Sequence, residues 1–191
     1  MDKNQITRRA LVLSGLALIT SGCSGAGWLF GSGERGANPN LRRREVAYST
    51  NEAPGTIVVN TSERFLYLVE PGGRATRYAC AVGEEGLSYK GRATIGRKAE
   101  WPSWTPTASM IERKPRLAQY AGGVPGGPNN PLGAAALYLY RGSEDTKFRL
   151  HGTNEPWLIG QAVSNGCIRL TNEDIVDLYS RIPVGTPVLV V

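Results

Sequence analysis

The sequence predicts a mainly β domain, of the β-rich α+β class, with one or two short helices. Three observations carry that expectation. From Thr56 onward, short runs rich in Val, Tyr and Leu alternate with turn clusters, and one amphipathic helix is legible near the C-terminus. The stretch from Thr56 to Val191 is also long enough to enclose one hydrophobic core.

The chain opens "MDKNQITRRALVLSGLALITSGCSG", which has the layout of an export signal. Lys3, Arg8 and Arg9 form a charged start, and Ala10 to Ile19 form an apolar run too short for a stable membrane span. The adjacent Arg8 and Arg9 suggest the twin-arginine route, which carries folded proteins. "TSGC" is similar to a lipoprotein processing site, so Cys23 is a candidate for acylation and for a lipid anchor in the membrane. A plain cleaved signal with an incidental Cys23 is the alternative. Ser24, in place of the Asp that usually retains a lipoprotein at the inner membrane, favours the outer membrane of a diderm cell. Residues 1–23 are thus read as an export signal, and the expected location is the periplasm or cell envelope.

Residues 24–55 are rich in Gly, Ser, Asn and Arg without periodicity, the composition of a flexible linker. The domain is expected over residues 56–191. Its first strands are read at Thr56–Asn60, Arg64–Glu70 and Ala75–Val82, separated by Asn-Thr-Ser and Pro-Gly-Gly turns. Residues 87–133, dense in Gly and Pro, read as long surface loops, with "GGVPGGP" as a mobile loop beside a cleft. "AALYLYR" and "KFRLHG" are further strands. "TNEDIVDLYSRI" is the clearest helix, because Ile175, Leu178, Tyr179 and Ile182 share one face and Thr171 with Asp174 makes a capping start. "GTPVLVV" closes the domain as a strand.

The formal net charge of +6 is a weak pointer to nucleic acid once it is located. Residues 1–50 hold seven Lys and Arg against three Asp and Glu, so most of the excess lies outside the domain. A nucleic-acid partner is disfavoured. Glu84–Glu85 and Glu144–Asp145 lie in turns and lack the setting of a glycosidase pair.

Chemistry concentrates at "LHGTNEPWLIGQAVSNGCIRL". His151 is the single histidine of the chain and stands at the end of a strand; Cys167 follows Gly166, shortly before the capped helix. A thiol attacks as its thiolate, and an imidazole nearby can take the proton. A backbone carbonyl of the "HGT" turn can orient that imidazole, and the N–H groups of Gly166 and Cys167 can face a developing oxyanion. Spacing alone leaves open a structural thiol, a Cys80–Cys167 disulfide and a nucleophile. Cys80 is a small buried strand residue if Cys167 is catalytic.

The stretch "LHGTNEPWLIGQAVSNGCIRLTNEDIVDLY" fits the pattern IHGTxxxxxIGxxxSxGCIRLxxxDxxxLY. It resembles the catalytic domain of the L,D-transpeptidase (YkuD-type) family, as do the "LYLV" and "YACAVG" strands, the "WPSWTPTASM" loop and "NNPLGAAALYL" upstream. The resemblance implies an L,D-transpeptidase-like β-sandwich that acts on peptidoglycan stem peptides with no metal and no cofactor. It implies Cys167 as nucleophile, His151 as general base and acid, the Gly152 carbonyl as orienter of the imidazole, and Gly166 with Cys167 as the oxyanion-hole segment. Ser164, Asn165 and Arg169 match motif positions near the substrate, Arg169 either pairing with a substrate carboxylate or bracing the site. Trp104, like Trp101 and Trp157, either stacks on sugar or stem peptide or packs in the core. Asn165 stands where many members carry a second histidine, and an amide cannot take a proton at neutral pH. The acyl acceptor is a second stem peptide, an envelope protein or water. The rival readings are a non-catalytic peptidoglycan-binding lipoprotein and a cysteine hydrolase of other amides.

Overall fold

A computed structural model of the chain describes residues 39–84 and 87–191. The export signal, Cys23, Glu85 and the linker up to residue 38 lie outside the described residues. The structure is strand-rich, as the sequence predicts. Its strands are β1 (Arg44–Ala47), β2 (Ile57–Asn60), β3 (Phe65–Glu70), β4 (Arg74–Ala79), β5 (Val82–Gly83), β6 (Gly91–Glu100), β7 (Ala135–Arg141), β8 (Glu144–His151), β9 (Ala162–Ser164), β10 (Ile168–Arg169) and β11 (Pro187–Val190). The α-helices are α1 (Ala108–Arg113) and α2 (Asn172–Arg181), and 3-10 turns cover Pro39–Leu41, Pro115–Tyr120 and Pro156–Leu158.

Nine strands form one sheet in the order β1-β4-β3-β2-β11-β6-β7-β8-β10, and β5 pairs with β9 in a small second sheet. The β2–β3–β4 meander is antiparallel, β11 joins it in parallel with β2, and β10 lies parallel to β8. Both faces of β3 are buried. Leu66 and Leu68 enter the main core with Ile57, Val59, Leu137, Leu150, Ile168 and Ile175, whereas Tyr67 and Val69 enter a second cluster with Val58 and Ala75. Strand side chains alternate between faces, so one run of apolar residues serves two layers.

Helix α2 forms where the periodicity places it. Thr171 caps it by accepting the Asp174 N–H at 3.1 Å, and Ile175 and Leu178 are wholly buried against the sheet. Its C-terminal end is closed from β6, where Lys98 Nζ donates to the Tyr179 and Ile182 carbonyls at 2.6 Å each.

Four expectations require correction. Residues 91–100, read as loop, form β6 in the middle of the sheet between β11 and β7. "GRATIGRKAE" lacks a strand-like composition, and only Ala93 and Ile95 of it are buried. Its ladder partners on both sides impose the extended backbone, a tertiary override of weak propensity. Residues 44–47, read as linker, form β1 on the edge of the sheet against β4. Arg43 beside it reaches Asp177 at 3.2 Å and Asp174 at 3.6 Å on α2. Trp101 and Trp157 are not in the core; they are 46% and 66% exposed. The expected run Ala75–Val82 is split between β4 and β5, because Cys80 and Ala81 turn to bond Gly160 and Arg169.

Leu137 lies in the centre of the main core on β7 with no exposed surface. Leu137→Ala is expected to cost about 2–5 kcal/mol in denaturant unfolding, while Val184→Ala, on the exposed surface, shifts stability by less than about 0.5 kcal/mol.

Candidate active site

The short parallel ladder between β8 and β10 pairs Leu150 with Ile168 and His151 with Arg169. Leu150 and Ile168 face the main core, so alternation turns Arg149, His151 and Arg169 to the other face of the sheet. Tyr138, the partner of Arg149 on β7, shares that face, and its ring lies 4.3 Å from the Arg149 guanidinium. Cys167 precedes β10 and falls on the same side as Arg169, half-buried.

His151 is 4% exposed, and its Nδ1 lies 2.6 Å from the Gly152 carbonyl. With Nδ1 donating to that carbonyl, Nε2 is left as an acceptor. The turn that presents the carbonyl is tied to α2, because Asn172 Oδ1 accepts the Ala134 N–H at 3.0 Å and the Thr153 N–H at 3.1 Å. Gly152 permits this approach: a Cβ there would stand 2.3 Å from Asn172 Oδ1. Burial lowers the His151 pKa from 6.5 to about 3, the Arg169 charge adds to the effect, and the Gly152 carbonyl opposes it. The ring is therefore neutral at physiological pH.

The turn that carries Cys167 is held from within. Ser164, 1% exposed, donates its hydroxyl to the Cys167 carbonyl at 2.5 Å and accepts the Gly166 N–H at 3.1 Å. Gly166 has φ +118°, and a Cβ there would meet the Leu87 carbonyl at 2.5 Å and the Phe148 ring at 2.7 Å. In this structure the Ser164 hydroxyl is thus bonded within the turn, and the Gly166 N–H donates to it. The Cys167 thiol is raised by burial, against which an N–H bond from Arg149 and the charges of Arg149 and Arg169 act.

Arg169 Nη1 meets Glu155 Oε2 at 3.0 Å, so of its two readings the bracing one describes this structure. Asn165 Oδ1 is buried without a hydrogen-bond partner. Trp104 pairs through its backbone with Val124, and its ring packs on Tyr120 at 6.1 Å. Cys80 and Cys167 are both free thiols, which excludes the disulfide reading of this structure. Cys80 sits in the main core, where burial pushes its thiol up to about 12.

Arg149, Asp145, Glu155 and Asn172 escape sequence reasoning. Each is an ordinary polar residue, Arg149 and Asp145 within β8, Glu155 before a 3-10 turn and Asn172 at the start of α2, and only the fold brings it to the site. Among the described residues, no group of three or more His, Cys, Asp or Glu side chains gathers as metal ligands would.

Residues 54–190 match the family model of the L,D-transpeptidase catalytic domain. The chain is 38% identical over 139 residues to the probable L,D-transpeptidase ErfK/SrfK of Escherichia coli, covering 71% of this chain and 43% of that protein. It is 39% identical over 140 residues to the probable L,D-transpeptidase YbiS of the same organism, covering 69% and 43%. The match thus spans less than half the length of these relatives. Among solved structures, a Brucella melitensis protein named a probable carnitine operon oxidoreductase is 49% identical, with a TM-score of 0.55 over 81% of this chain and 96% of that one. An L,D-transpeptidase from Mycobacterium smegmatis shares the fold at 17% identity, with a TM-score of 0.53 over 71% and 58%.

In the unfolded chain His151 titrates near 6.5, whereas in the folded chain it resists protonation down to about 3. Below pH 6.5 the unfolded state binds the extra proton, so this contribution to stability is complete above 6.5 and is lost as pH falls toward 3. Thermal melts across that range are expected to show a decline that His151→Gln flattens. Asn172→Ala strips the acceptor from two backbone N–H groups and is expected to cost about 1–3 kcal/mol in the same melts, with slower turnover because the Gly152 carbonyl loses its anchor.

Proposed function

The chain belongs to the L,D-transpeptidase family, and on that premise we propose that it is a peptidoglycan L,D-transpeptidase with Cys167 as nucleophile and His151 as general base and acid. The observation that supports this most directly is the buried imidazole held at Nδ1 by the Gly152 carbonyl, on the sheet face to which alternation also brings the Cys167 turn.

In the proposed reaction, Nε2 of neutral His151 takes the Cys167 proton. The thiolate attacks the carbonyl of the L-centre of diaminopimelate in a tetrapeptide stem. The N–H groups of the Gly166–Cys167 segment face the oxyanion, that of Gly166 leaving its bond to Ser164. Collapse of the tetrahedral intermediate breaks the amide bond to D-alanine, which leaves with the proton from His151. An amine then attacks the thioester and gives its proton to His151. The new amide forms, the thiolate departs, and the imidazolium reprotonates it. A stem-peptide amine yields a direct cross-link, a lysine of an envelope protein yields a tethered protein, and water yields a carboxypeptidase. The unpartnered Asn165 Oδ1 offers an acceptor to a substrate N–H. The enzyme is proposed to act in the cell envelope, exported and anchored through an acylated Cys23.

The redox activity named for the Brucella protein is not favoured as a dithiol reaction. Cys80 is wholly buried in the core, and the two described cysteines are free thiols.

Residues 24–191 incubated with a disaccharide tetrapeptide are expected to release D-alanine and to gain an acyl adduct on Cys167, followed by intact mass spectrometry. Cys167→Ala abolishes both, and His151→Gln slows release by about 100-fold or more. An added amine that resolves the adduct faster than water identifies a transferase. No adduct and no D-alanine from reduced, folded protein would overturn the assignment.

A further inference from the structure

Arg149 carries an arrangement that neither the motif nor the proposed reaction uses. Its guanidinium is bound at both ends by Asp145, Nη1 to Oδ1 at 2.7 Å and Nη2 to Oδ2 at 2.9 Å. Nη1 also donates to the Phe148 carbonyl at 2.9 Å, and the plane lies over the Tyr138 ring. The side chain is only 14% exposed, so its charge is screened far less than a surface arginine's. A bidentate, stacked guanidinium is fixed in orientation.

The backbone of the same residue also points at the site. Gly152 N–H bonds to Ala135 on β7, while the His151 carbonyl accepts from Leu170 beyond β10. Backbone groups of alternate residues turn to opposite neighbours, so Arg149, two before His151, directs its N–H toward β10. The ladder has stopped there at Ile168. The N–H is thereby turned toward the segment that carries Cys167, where it acts in favour of the thiolate.

We propose that Arg149 is a positioning residue for the nucleophile: its N–H aims the Cys167 sulfur, its guanidinium favours the thiolate, and Asp145 fixes the guanidinium while partly offsetting its charge. Among the described residues, Arg169 on its own strand, paired with Glu155, is a further charged group near Cys167, and His151 on β8 is a neutral titratable one. Tyr138 on β7 and Arg97 on β6, which stacks over Tyr138 at 3.6 Å, complete that face. Glu84, whose N–H bonds the Ser164 carbonyl, is paired with Lys114 at 2.8 Å. A protein that lacks a second histidine beside its nucleophile thereby obtains a fixed positive charge from the strand next door. A fixed arginine charge, unlike an imidazolium, does not titrate with the base.

The inference rests on Cys167 being the nucleophile, and it is tested without any peptidoglycan substrate. Full-length protein is alkylated with iodoacetamide from pH 5 to 10, and modification of Cys167 is followed by peptide mass mapping. Arg149→Met is expected to move the rise in alkylation rate to higher pH, slowing the reaction at pH 7 about tenfold for each unit moved. Asp145→Asn is expected to move it to lower pH, and Arg149→Lys to stay near the wild-type position. A merely structural ion pair predicts the same sign for the two neutralising variants, since both break the same contact. Shifts of equal sign, or no shift, overturn the proposal. If Arg149→Met does not fold by circular dichroism, the sign of the Asp145→Asn shift decides alone: downward supports the proposal, and upward or absent overturns it. Opposite shifts in a protein that releases no D-alanine would keep this role for Arg149 and sink the transpeptidase reading.

Discussion

Two residue pairs, Leu150 with Ile168 and His151 with Arg169, join β8 to β10, and the site is built on where that ladder stops. Because the strands run parallel, the two segments enter the site in the same direction and bring their apolar residues to the core together. Their polar residues are then forced onto the opposite face in register. Had β10 slipped by one, Cys167 and Arg169 would have turned to the core face while His151, held by β7, stayed where it is. The main core under Leu150 and Ile168 therefore does more than stabilise the domain. It sets which side chains meet above it.

The turn that carries Cys167 is short and tightly tied. Ser164 bonds the backbone on both sides of Gly166, and Gly166 takes a left-handed φ against Leu87 and Phe148, where a Cβ has no room. The opposite turn is held just as firmly by Asn172, the first residue of α2. The proposed nucleophile and base are thus presented by two turns, each fastened within the fold by side-chain bonds. Such fastening keeps the geometry without a third catalytic side chain, since a backbone carbonyl orients the imidazole.

Electrostatics in this face follows from burial combined with two guanidinium groups, each matched by one carboxylate: Arg149 by Asp145 and Arg169 by Glu155. Burial opposes charge on both the imidazole and the thiol. The arginine charges act unequally on the two, since they disfavour an imidazolium and favour a thiolate. The resting site is therefore one with a neutral ring. Further from the chemistry, Leu41 packs with Ile159 and Val163 in a small cluster beside the 152–166 connection, and Arg43 grips α2. The chain just before the family-matched region is thus part of the folded domain and supports the segment between base and nucleophile.

Much of this was legible in the residues alone. The period of α2, its Thr171 cap, the β2–β3–β4 meander and β7 are local patterns, and local patterns state their own structure. The motif from His151 to Cys167 marked the chemistry because glycines, thiol and imidazole fall at fixed spacing. What the residues alone could not decide was pairing. β6 and β1 have little strand character and are extended because neighbours bond them; Arg149, Glu155 and Asn172 are unremarkable until a second element lies beside them. The same holds for the Gly166 N–H, whose partner, Ser164, can be known only once the turn is closed. Sequence determined the elements and the reactive groups, since those depend on a residue and its near neighbours. Tertiary structure decided who bonds to whom, since a hydrogen bond or an ion pair depends on two groups that the chain brings together only on folding.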